Sequence, residues 1–322
     1  MTDYSFVRGF NYQPGYAYNS YEAWRFFDAE TFRRELTWGK RAFPGFNTVR
    51  YWLSYDAFRY EEDRQRENFE TALGIADSLR LKAVPVLFNR WHDYNMDNGG
   101  IYIDQFVPES SWCSGDGRAQ YKRYISNIVG DHRHDERILA WDMCNEPFSY
   151  GADNAFTAVV RGYEKAWLED MYGLCRAQDA SAPVSFSPFR MDVSLMEEYA
   201  PICDVFLLHR YDFDYGDSEE RIRLLTNELS ALAETARNMG KGIFTTETCW
   251  GSLSDRQRAE YVRVSLQAHK NAGLGFIAHA LAYSHVADLH NPEDGVVGNP
   301  GNLCFLNPDG SVRAGHEIFN QF

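Results

Sequence analysis

Positive charge is scarce in this chain. Its 322 residues hold 32 Lys and Arg against 46 Asp and Glu, a formal net charge of −14. No basic stripe exists to release counterions from a polyanion, which argues against nucleic acid as a partner. The same deficit disfavours an anionic membrane surface, and no apolar run approaches the roughly 18 residues of a membrane span. Met1-Thr2-Asp3 leads directly into an apparent strand with neither a basic n-region nor an apolar h-region, so no signal peptide is read. The six cysteines (Cys113, Cys144, Cys175, Cys203, Cys249 and Cys304) include no Cys-x-x-Cys pair and no zinc-type spacing. Buried free thiols in a reducing, cytoplasmic compartment are the expectation. No G-x-G-x-x-G or G-x-x-x-x-G-K-[ST] follows the first strand, which counts against nucleotide binding, and no cofactor is expected.

Aromatic residues are abundant, at 16% with 8 Trp, 20 Tyr and 22 Phe. Flat sugar C–H faces pack on such rings, although a large aromatic core uses them equally well. Apolar strand-like runs alternate with amphipathic stretches. The strand candidates are Val7–Tyr12, Phe46–Trp52, Lys82–Phe88, Ile138–Cys144, Pro183–Ser187, Asp204–His209, Gly242–Glu247 and Gly275–Ala282. Helices are expected over Ala29–Lys40, Asp63–Arg80, Arg118–His132, Phe156–Ala177, Glu219–Met239 and Asp255–Asn271, with a last one from Ser311 towards Phe322. Phe69, Leu73, Ala76 and Leu79 recur at helical spacing, as do Tyr261, Val264 and Ala268. Repeated strand–helix alternation predicts one (β/α)8 TIM barrel over residues 1–322. The long connections Asn89–Gly117 and His285–Cys304 follow strands, where loops of a barrel enzyme carry function.

Two carboxylates stand out. Glu146 ends the apolar run Ile138-Leu139-Ala140-Trp141-Asp142-Met143-Cys144-Asn145, and Glu247 ends Gly242-Ile243-Phe244-Thr245-Thr246. C-terminal strand ends carry the chemistry of a parallel barrel. Two acids at two such ends are the minimum equipment for cleaving a glycosidic bond. Asp142, inside the fourth strand, reads as a hydrogen-bonding group of the barrel interior.

Asn145-Glu146-Pro147 ending a fourth strand, with Glu247 ending a seventh, resembles the retaining glycoside hydrolases of clan A, nearest to family 5, the cellulase and mannanase family. Arg50 closing the second strand, His209 and Tyr211 at the sixth, and the Phe305-Leu306-Asn307-Pro308-Asp309-Gly310 turn also resemble that family. The resemblance implies that Glu247 is the nucleophile, kept ionised by Arg50 and Tyr211. It implies further that Glu146 is the acid/base, that Asn145 binds the sugar 2-hydroxyl, and that His209 supports the pair or touches substrate. Trp91, His92 and Trp250 are candidates to line the sugar site. The family's tryptophan at the end of strand eight is missing: the run reads Phe276-Ile277-Ala278-His279-Ala280-Leu281-Ala282-Tyr283, leaving His279 or Tyr283 for its place. The implied activity is two-step hydrolysis of β-glycosidic bonds in gluco- or manno-configured oligosaccharides or glycoconjugates. A non-catalytic sugar-binding barrel is the alternative. A metal-dependent barrel hydrolase using His92, His209, His279 and His285 would call for His-x-His on the first strand. That strand reads Arg8-Gly9-Phe10-Asn11-Tyr12, so no metal is expected.

Overall fold

The computed structural model describes residues 2–90, 101, 115–149, 154–212, 216–284 and 302–322. Eight parallel strands form one sheet: β1 (Arg8–Asn11), β2 (Thr48–Trp52), β3 (Lys82–Asn89), β4 (Trp141–Asn145), β5 (Val184–Ser187), β6 (Val205–His209), β7 (Gly242–Thr248) and β8 (Phe276–Ala278). Their order is β5-β4-β3-β2-β1-β8-β7-β6. The ring closes between β5 and β6, where the Asp204 N–H donates to the Val184 carbonyl at 2.9 Å. The outer layer comprises α1 (Ser20–Arg25), α2 (Ala29–Ala42), α3 (Tyr55–Tyr60), α4 (Glu62–Ser78), α5 (Gly115–Ile128), α6 (Ala155–Arg176), α7 (Val193–Tyr199), α8 (Ser218–Asn238) and α9 (Asp255–Ala272). This is a (β/α)8 barrel.

The strands are buried on both faces because each face is covered. Inward, Val7, Val84, Ala140, Val205, Leu207, Phe244 and Ile277 fill the N-terminal half of the barrel. Outward, Phe10 packs on Phe43, Phe46, Phe305 and Phe319, with ring centroids 4.4–5.1 Å apart. On α4, Phe69, Leu73 and Ala76 are buried as their spacing predicts, and so are Tyr261, Val264 and Ala268 on α9. Side-chain caps start several helices. Asp28 accepts from the Glu30 N–H ahead of α2, Asn154 forms a capping box with Thr157 ahead of α6, and Ser254 accepts from the Gln257 N–H ahead of α9.

Three expectations are corrected. The short helices α1 and α3, in strand-to-helix connections, and α7, the α-helix between β5 and β6, were not expected, because their apolar periodicity is too brief to read. The final helix is a 3-10 turn over His316–Gln321. Strand eight ends at Ala278 rather than Ala282, because the chain beyond it pairs with a returning segment. The Ala280 N–H donates to the Leu303 carbonyl at 2.8 Å, and Ala282 bridges Leu306. Cys144, Cys175, Cys203, Cys249 and Cys304 are buried free thiols, whereas Cys113 lies outside the described residues.

Candidate active site

Both glutamates leave the barrel at irregular strand ends. The β4–β5 register shifts between Asp142 and Asn145, and the β6–β7 register shifts between Leu208 and His209, whose partner is Glu247. Such bulges re-aim side chains. Glu146 itself adopts φ +50, the left-handed region, which costs a non-glycine residue on the order of 1 kcal/mol or more. Its N–H is held by the Ser187 carbonyl at 2.8 Å. The consequence is convergence: carboxylate oxygens of Glu146 and Glu247 and a ring nitrogen of His209 all lie within 4.8 Å of one another.

The two carboxylates sit in different environments. Glu247 is almost enclosed, its side chain 7% exposed, and both of its oxygens are occupied. Arg50 Nη1 donates to Oε1 at 2.6 Å and the Tyr211 hydroxyl donates to Oε2 at 2.6 Å. Burial alone would raise this carboxyl, but the charges of His209, Arg50 and His279 and the Tyr211 hydrogen bond outweigh it and hold it near 2. Burial and the carboxylates of Glu247 and Glu146 push the Tyr211 phenol well above its ordinary value, so it stays a donor. Glu146 is more open, with a side chain 18% exposed, and contacts His209 Nδ1 at 2.9 Å. His209 Nδ1 also stands 3.5 Å from Glu247 Oε2.

Arg50 is the hub of the floor. It is wholly buried and also reaches Asp142, Asn11, Asn145 and Ser187 at 2.7–3.0 Å. Its guanidinium lies 4.8 Å over the Trp52 ring. Asn145 is fastened from both ends, accepting from Arg50 and donating to Asn89 Oδ1 at 2.9 Å, which leaves one amide hydrogen for a substrate. Trp250 packs edge-on against Tyr211, with centroids 5.2 Å apart, and remains half-buried. His279 directly follows β8, half-buried and edge-on to Trp52, and its charge reaches Glu247. Tyr283 lies half-buried, its carbonyl oxygen 3.1 Å from where a Gly15 Cβ would stand. His279, one of the two strand-eight candidates, is thus coupled to the Glu247 carboxylate. Trp91 and His92 lie outside the described residues, as do most of the two long connections.

Asn11, Trp52, Asn89 and Ser187 were missed from the sequence. Three of them are small polar residues ending apolar runs, a signal that does not separate a capping group from a ligand of Arg50.

Glu146, His209 and Glu247 have donors close enough to hold a metal ion. Their bonding disfavours one, because Arg50 and Tyr211 already occupy both oxygens of Glu247 and a buried guanidinium would repel a second cation. A second acidic cluster, Glu70, His132 and Asp135, is forked by Arg137 at 2.6–2.8 Å and has its counter-charge built in.

No family model matches the chain. Mannan endo-1,4-β-mannosidase F of Aspergillus clavatus is 25% identical over 207 residues, covering 57% of this chain and 46% of that protein. The exo-β-1,4-mannosidase Op5Man5 of an Opitutaceae bacterium superposes over 97% of this chain and 58% of its own, with TM-score 0.71 and 17% identity. A GH5_18 protein of Streptomyces cattleya, solved with GlcNAc, gives TM-score 0.66 and 13% identity over 98% of this chain and 80% of its own. The chain is thus similar in sequence to mannan endo-1,4-β-mannosidases and shares its barrel with these solved structures. It spans less than half the length of the curated relatives it matches. No helix among the described residues is long and apolar enough to cross a membrane.

Proposed function

We propose that this chain is a divergent family 5 relative and a retaining β-glycosidase, with Glu247 as nucleophile and Glu146 as acid/base. One observation carries the reading: two carboxylates within 4.8 Å, one locked in its ionised form by Arg50 and Tyr211, the other more exposed and bonded to a histidine. A separation of about 5 Å suits attack on one anomeric carbon, whereas an inverting pair needs room for a water between them. Glu247 attacks the anomeric carbon as the glycosidic C–O bond breaks, and Glu146 delivers its proton to the departing oxygen. Glu146 then takes a proton from water, whose oxygen attacks the anomeric carbon and releases Glu247.

In this reading Asn145 donates its remaining amide hydrogen to the sugar 2-hydroxyl. Trp250 and His279 supply half-buried ring surface around the reacting sugar. The names of the similar proteins favour manno- or gluco-configured β-glycosides of oligosaccharides or glycoconjugates as substrates. A panel of chromophoric β-glucoside, mannoside, galactoside and xyloside, beside polymeric mannan and glucan, tests the reading. At least one is hydrolysed, and Glu247→Ala abolishes that turnover while the chain stays folded. Hydrolysis retained in Glu247→Ala would transfer the nucleophile's role elsewhere.

A further inference from the structure

Arg50 carries two acids, and only one of them reacts. Glu247 Oε1 lies 2.6 Å from Nη1, while Asp142 Oδ2 lies 3.0 Å from Nε and 2.9 Å from Nη2. Arg50 and Asp142 are both fully enclosed. The Asp142 carboxylate is aimed by the Ser187 hydroxyl, which donates to Oδ2 at 2.7 Å. Asp142 touches none of the atoms at which bonds change.

The proposed reaction places a demand on this trio. When Glu247 forms its ester, the carboxylate charge disappears while the buried guanidinium keeps its own. A buried cation stripped of its partner is strongly destabilised. We propose that Asp142 is a positioning residue that keeps Arg50 neutralised while Glu247 is esterified, stabilising the covalent intermediate. The proposal rests on the retaining mechanism above and adds a role for a group outside the reacting pair.

The two half-reactions respond to this role in opposite directions. Without the Asp142 charge, free Glu247 still balances Arg50, but the ester leaves Arg50 alone. The ester therefore rises in energy by more than either flanking transition state, in which Glu247 carries part of its charge. Forming the ester becomes harder and hydrolysing it becomes easier. A merely structural role, in which Arg50 drifts out of place, slows both steps.

The test uses activated 2-deoxy-2-fluoro β-glycosides of gluco and manno configuration with the full chain. Labelling is followed by intact mass, and reactivation is followed after excess reagent is removed. The variants are Asp142→Asn, Asp142→Ser as a second uncharged form in case the amide does not fold, and Asp142→Glu to retain the charge. In an uncharged variant, labelling slows about tenfold or more and reactivation accelerates several-fold, whereas Asp142→Glu shows no acceleration. Slower labelling together with slower reactivation in the uncharged variants would overturn the proposal alone. A wild-type chain that takes no label from either sugar would overturn the retaining reading and this inference with it.

Discussion

Replacing Arg50 by methionine keeps much of the volume at the barrel floor and removes the guanidinium charge. The guanidinium stands 2.6 Å from Glu247 and 2.9 Å from Asp142. At charge separations near 4 Å and an effective dielectric of about 20, each pair is worth roughly 4 kcal/mol. A pKa unit corresponds to about 1.36 kcal/mol, so losing one pair raises the Glu247 carboxyl by about three units. From its present position near 2, that brings it to roughly 5. The assay is kcat/KM against pH with an activated aryl β-glycoside, whose leaving group departs without a proton from Glu146. The wild-type chain shows no acid limb from Glu247 above about pH 3, and Arg50→Met acquires one near pH 5. Stability follows the same sign. Glu247 lies below its ordinary 4.5 in the folded chain, so its ionisation stabilises the fold above that pH, and the contribution fades as pH falls towards 2. Arg50→Met therefore loses stability at pH 7 and far less at pH 3. An acid limb that does not move would refute the assignment of Arg50 as the group holding the nucleophile ionised.

Two further outcomes follow from the same site and its surroundings. Glu146→Ala slows natural glycosides much more than aryl glycosides with good leaving groups, because only the former need its proton; equal losses on both would remove it as the acid. Away from the carboxylate pair, burial raises Glu35 to about 7 against the opposing hydrogen bonds of Tyr12 and the Gly15 N–H. Such a raised carboxyl favours the fold below its unfolded value near 4.5, and that advantage is lost as pH rises through 7. Glu35→Gln keeps an acceptor for Tyr12 and gains stability over wild type by on the order of 3 kcal/mol between pH 4.5 and 8. Urea midpoints at pH 5 and pH 8 check this, and a difference that does not change with pH contradicts it.

The barrel was legible because its strands are short apolar runs and its long helices keep one buried stripe, as Phe69, Leu73 and Ala76 do on α4. What escaped was set by contacts distant in sequence. Nothing local marks Ala280 and Ala282 as partners of Leu303 and Leu306 rather than of β7. The positions of Glu146, Glu247, Arg50, His209 and Tyr211 followed from strand-end placement and family resemblance. The wider network around Arg50 did not, because it acquires its further acceptors from β1, β4 and β5 only when the ring closes. Asp142 shows the difference well: its burial was readable from the strand, its bond to Arg50 only from the fold.

The spacing of the two carboxylates makes one direct demand on the chemistry. With a β-glycoside that the chain hydrolyses, proton NMR of the first-formed sugar, recorded before mutarotation, reports the configuration at the anomeric carbon. Oxygens within 4.8 Å match the roughly 5–5.5 Å of a retaining pair and fall short of the roughly 6.5–9.5 Å of an inverting one, so the β-anomer appears first and the α-anomer grows in later. Initial release of the α-anomer would contradict the account at its centre.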